Sequence, residues 1–271
     1  MKNLLLISTL FMLSACTPIV KNNTPNHQTI QINQNQVENS RPYQPIQINQ
    51  VDNNNIVNTP VNYANMDKKH HRLLQEGEEL IQKGERKKAI LSYLNPIIKD
   101  YEAIYANNNK RIYTARTEAE RDFYIMSANN QQQEARVLSE TWSKAYYLKA
   151  YALLELKEIN LAQKSLFKAL ALAPSNSKYL SEMGHIYHLS KDINRALKNY
   201  RLAEKAVKFF SPKGLKKQEL LRAKKGVGFS LIELNRLDEA ENMYKEVLKI
   251  DSRDKVARKE LKYIQELKKR H

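Results

Sequence analysis

Across 271 residues the chain carries 45 Lys and Arg against 29 Asp and Glu, a formal charge of +16, with 42% hydrophobic residues. That content can bury a core, and few Gly and Pro beside many Leu, Ala, Lys and Glu favour helices over strands. The charge calls for acidic partners without choosing among protein, anionic lipid or glycan, and nucleic acid. The single cysteine, Cys16, excludes an intramolecular disulfide.

Met1-Lys2-Asn3 is a short positive segment, and Leu4 to Leu13 is mostly apolar but too short to span a bilayer as a mature helix. This is the layout of a signal peptide over residues 1–15. The run ends in Leu13-Ser14-Ala15-Cys16, which resembles the lipobox of bacterial lipoproteins. The resemblance implies cleavage before Cys16, diacylglyceryl on its thiol, and a new amino group open to further acylation by palmitate-type chains. Several acyl chains make a durable anchor where one holds only marginally. Thr17, not Asp, follows the cysteine, which by the same resemblance favours the outer membrane, with the chain facing the periplasm.

Residues 16–66 then turn to Asn and Gln with scattered Pro, as in Asn33-Gln34-Asn35-Gln36. Such a segment buries too little apolar surface to offset chain entropy, so a disordered linker is expected. As a flexible coil, a tether of this length would hold the rest of the chain about 35 to 45 Å from the lipid on average.

From residue 67 to 271 the apolar residues take helical spacing, and an internal repeat emerges. Gly184, Ala196 and Ala203 follow Ala150, Ala162 and Ala169 at an offset of 34 residues. Small residues where two helices cross closely, with larger ones between, resemble the tetratricopeptide repeat. The implied fold is all-α: an α-α solenoid of helix hairpins closed by a C-terminal capping helix and preceded by the disordered tether. Repeats are placed at about 143–176, 177–210 and 221–254, with the cap at 255–268. Two degenerate repeats are placed at 70–103, where Pro96 should bend or shorten a helix, and at 109–142, which keeps register through Ala115, Ala128 and Ala135.

Motifs of catalysis are missing: there is no phosphate-binding glycine loop, no paired cysteines, no His-Glu-x-x-His and no Gly-x-Ser-x-Gly. No catalytic residue, cofactor or metal is therefore assigned. His185 and His188, one helical turn apart, are read as polar aromatics of a groove, since no third ligand lies nearby in sequence.

By similarity to the repeat family, the concave positions of each first helix are the second, fifth, ninth and twelfth. They place Lys144, Tyr147, Tyr151, Lys178, Ser181, His185, His188, Arg222, Lys225 and Phe229 on one surface. Cations among exposed rings suit a protein partner with extended or acidic segments. An exported chain would not meet nucleic acid. The layout is similar to that of pilus-assembly lipoproteins, both the Tad-type (Flp) lipoprotein and the pilotins. It points to a non-enzymatic, lipid-anchored scaffold in a cell-envelope assembly machine. A peptidoglycan or anionic-glycan accessory protein is the alternative.

Overall fold

The structure, a computed structural model, describes residues 63–270. The signal peptide, Cys16 and nearly all of the linker lie outside them. Helix α1 (Tyr63–Gln82) begins inside the stretch assigned to the linker, and α2 (Arg86–Ala89), a π turn (Ile90–Leu94) and α3 (Asn95–Tyr105) return against it. Pro96 sits in the first turn of α3, directly after the π turn. A proline ring collides with the carbonyl four residues back, and the wider π geometry relieves that collision without breaking the helix.

Three further hairpins follow: α5 (Thr141–Glu155) with α6 (Ile159–Leu172), α7 (Ser177–Leu189) with α8 (Ile193–Phe210), and α9 (Lys216–Glu233) with α10 (Leu237–Ile250). Helix α11 (Lys255–Lys268) packs on α10. The small residues that set the period are fully buried at the crossings, among them Ala150, Ala162, Ala169, Ala196, Ala203 and Ala240. Side chains this short let the paired backbones approach closely.

One turn joins the two helices of every hairpin. Gly84, Lys157, Lys191 and Asn235 all adopt positive φ, of 86°, 67°, 62° and 56°. In each case the residue after it donates its N–H to a carbonyl five positions back: Glu85 to Leu80 (2.8 Å), and Glu158 to Leu153, Asp192 to Tyr187 and Arg236 to Leu231 (each 2.9 Å). These are Schellman closures, which satisfy the last carbonyls of the first helix and turn the chain back on itself. The second helix of one hairpin, α8, and the final helix α11 start on side-chain caps: Asp192 accepts from the Arg195 N–H (2.9 Å) and Asp254 from that of Ala257 (2.9 Å).

Residues 109–142 depart from the sequence reading. In place of a degenerate helical repeat stands a β-α-β insert: β1 (Arg111–Thr114), α4 (Glu118–Asn129) and β2 (Ala135–Leu138), with the strands paired in parallel so that Ile112 faces Arg136. Parallel pairing requires a crossover of a dozen or more residues, which α4 supplies. The alanines that kept the repeat register have another use. Ala128 is buried against the stacked rings of Tyr113 and Tyr124 (4.7 Å), with Ala115, Ala135 and Val137 around them.

The insert docks along one edge of the solenoid. Thr114 donates to Ser143 at the start of α5 (2.7 Å), the Ser175 N–H donates to the Tyr124 hydroxyl (3.0 Å), and Phe123 packs on Phe210 at the end of α8 (4.9 Å). On the other side of the insert, Trp142 stacks between Tyr101 (5.4 Å) and Tyr105 (5.8 Å), joining α3 to α5.

Candidate protein-binding groove

The first helices of successive hairpins, α1, α5, α7 and α9, touch through the side chains assigned to the groove. Lys144 on α5 pairs with Glu78 on α1 (3.0 Å). The Tyr147 ring stacks on Tyr179 of α7 at 5.0 Å, with the Lys178 ammonium 4.6 Å from its centroid. Between α7 and α9, Arg222 is ion-paired with Glu182. His188 shares a hydrogen bond with the Ser230 hydroxyl (2.8 Å) while its ring lies 4.8 Å from Phe229. At the far end Lys225 pairs with Asp254 (2.8 Å).

Eight of the ten assigned residues are half-buried along this face: Lys144, Tyr151, Lys178, His185, His188, Arg222, Lys225 and Phe229. Tyr147 and Ser181 are not available to a partner, being only 4% and 1% exposed. Tyr147 is covered because Tyr179 and Lys178 of the next repeat close over it.

The face is also less basic than its lysines and arginine suggest. Glu78, Glu182 and Asp254 hold Lys144, Arg222 and Lys225, leaving Lys178 as the assigned cation with no carboxylate partner among the described residues. Glu78 was within reach of the sequence, since it occupies the ninth position of the 70–103 repeat. Glu182 falls outside the family's concave positions, and Asp254 closes its repeat, so neither carried a signal.

Electrostatics follow from this packing. Burial pushes the Lys178 ammonium below its usual value. For Arg222 burial works against the charge, but the Glu182 carboxylate outweighs it and holds the guanidinium ionised. His185 is shifted down by burial, and His188 falls to about 4 through burial, then the neighbouring His185 and Lys191. Both imidazoles are therefore neutral at pH 7. Burial raises the Tyr151 hydroxyl, so it stays protonated and donates to Glu155 (3.4 Å). Glu182 is 1% exposed and its Oε1 has no hydrogen-bond partner, leaving a spare acceptor beneath the face. Rings, neutral imidazoles and the Lys178 ammonium over the Tyr147 ring are set for contact, and no group of three metal-ligating side chains occurs among the described residues.

Residues 143–176 and 227–254 match the family model of the tetratricopeptide repeat. These two stretches carry the tetratricopeptide repeat. No curated protein matches it in sequence. Among solved structures, Pseudomonas aeruginosa pilF superposes with a TM-score of 0.52 at 14% identity, over 76% of this chain and 72% of that one. The yeast histone chaperone Hif1, described as a scaffold protein recruiting protein complexes to core histones, gives 0.51 at 12% identity, over 76% and 96%. At these identities the likeness is one of fold. A tetratricopeptide solenoid is a protein-interaction scaffold whose stacked hairpins present an extended surface.

Proposed function

We propose that the chain is a non-catalytic, lipid-anchored scaffold of the bacterial cell envelope, held in the outer membrane through acylated Cys16 and recruiting a protein to an assembly machine of the kind that builds pili or secretion systems. The observations that support the binding half are the contacts linking the first helices, Tyr147 against Tyr179 between α5 and α7 and His188 against Phe229 between α7 and α9, with Tyr151 and His185 half-buried on the same helices. The envelope half is supported by the lipobox-like Leu13-Ser14-Ala15-Cys16 followed by an Asn/Gln-rich stretch.

The pairing of Lys144, Arg222 and Lys225 refines the expected partner. An extended segment that lays apolar side chains against the rings and offers an acceptor to Lys178 fits better than a strongly acidic one. Its affinity should change little with salt.

Two measurements test the halves separately. Mass spectrometry of the purified chain should find an N-terminal Cys16 carrying diacylglyceryl; an unmodified thiol refutes the anchor. Capture after crosslinking in native cells should recover a defined envelope protein with wild type and lose it with Tyr151→Ala/Phe229→Ala. An unchanged partner set with the folded variant refutes the groove.

A further inference from the structure

Helix α8 exposes a second face that the groove does not use. Asn194, Lys198, Arg201, Leu202, Lys205 and Phe209 recur at helical spacing along it and line two adjoining depressions, the larger about 650 Å³ and completed by Lys216 and Leu220 of α9. Leu202 is 40% exposed and Phe209 62%, with the Lys208 ammonium 5.3 Å from the Phe209 ring.

The charge here is unlike that of the groove. Lys198, Lys205, Lys208, Lys213 and Lys217 are exposed and pair with no carboxylate among the described residues. Only Arg201 is approached by one, Glu239 at 3.8 Å. Of the two acidic residues of this stretch, Glu204 lines the larger depression but is held by Lys224 (2.6 Å), and Glu219 lies in the interior beside Arg116 (2.6 Å).

We propose that this face of α8, with the turn into α9, rests on an anionic phospholipid bilayer, its lysines among the headgroups and Phe209 and Leu202 at the acyl boundary. A stripe of cations with interleaved apolar side chains on one helix surface is the pattern of interfacial binding. Among the described residues, the buried polar side-chain atoms left without a hydrogen bond belong to His70, Arg116, Trp142 and Glu182, and none lines this face. Nothing there asks for a directed hydrogen bond. Diffuse charge attraction and shallow insertion are what a lipid surface offers and what an ordered peptide ligand does not need. The inference stands apart from the groove and from Cys16.

The test uses the chain from residue 16 with Cys16→Ser, so that no acyl chain contributes. It should sediment with vesicles of phosphatidylglycerol and phosphatidylcholine and not with phosphatidylcholine alone. Lys205→Glu/Lys208→Glu, both exposed and so compatible with folding, should weaken partitioning by about tenfold or more. In Phe209→Trp the new indole should be quenched by brominated acyl chains, above a constant background from buried Trp142. Absence of sedimentation with the anionic vesicles, or equal binding by the lysine variant, overturns the proposal. So does an unquenched Trp at 209, which would leave only surface adsorption of the kind any anionic polymer such as polyglutamate produces.

Discussion

Arg116 and Glu219, 103 positions apart in sequence, form an ion pair of 2.6 Å with side chains only 7% and 8% exposed. The hydroxyls of Ser177 and Ser211 also donate to this carboxylate. One interaction thus clamps the β-α-β insert to the starts of α7 and α9. Burial alone would raise the Glu219 carboxyl, but the Arg116 charge and the hydroxyl donors outweigh it and hold it below its usual value. Arg116→Met should therefore cost about 3–5 kcal/mol by stranding a buried carboxylate, and Arg116→Met/Glu219→Leu should recover most of it. Thermal denaturation of the two variants checks this; equal losses in both would show that the pair itself is unimportant.

Tyr200 lies between two glycines. A Cβ added at Gly226 would come within 2.3 Å of its ring and one at Gly184 within 3.0 Å. Gly226→Ala is expected to destabilise by about 1–3 kcal/mol through overpacking, and Gly184→Ala by less. Denaturant midpoints should rank them in that order.

His188 makes stability depend on pH. Its folded value of about 4 lies below the 6.5 of the unfolded chain, so the unfolded chain takes up the proton first. The stability it contributes is complete above pH 6.5 and is lost as pH falls toward 4. Between pH 7 and pH 4 the loss should be on the order of 2 kcal/mol after allowing for partial exposure. His188→Gln, which keeps a partner for Ser230, should flatten that part of the profile measured by denaturant unfolding.

Lys191 occupies the left-handed turn between α7 and α8 at φ 62° with its side chain exposed. Lys191→Gly should remove the steric cost of that conformation and stabilise the fold by about 0.5–1 kcal/mol. The same substitution at Lys205, in mid-helix, should destabilise by a similar amount, and melting temperatures would separate the two.

The solenoid was legible wherever the period was carried by residues that packing constrains. Ala150, Ala162 and Ala169 must be small because helices cross there, and their counterparts 34 residues on must be small for the same reason. The insert was hidden because Ala115, Ala128 and Ala135 fell into that register while serving a different core. A signal was present in the β-branched and aromatic run Ile112-Tyr113-Thr114 and in Thr117 three residues before Glu120, whose N–H the Thr117 hydroxyl accepts (3.2 Å). Arg116 stands at the eighth position of the 109–142 register, where the other repeats carry a small residue, because it belongs to the clamp. The groove residues were placed on adjacent helices by the repeat register, but their neutralisation by Glu182 and Asp254 depends on contacts between repeats, which a period within one repeat does not describe.

Site-specific photo-crosslinking in native cells tests the protein-binding face most directly. A photoreactive residue in place of Phe229 or of Tyr151 should form an adduct with the same partner protein, and one in place of Leu161, 50% exposed on α6, should form none. An adduct at 161 with silence at 151 and 229 would contradict the account and move the binding surface off the first helices.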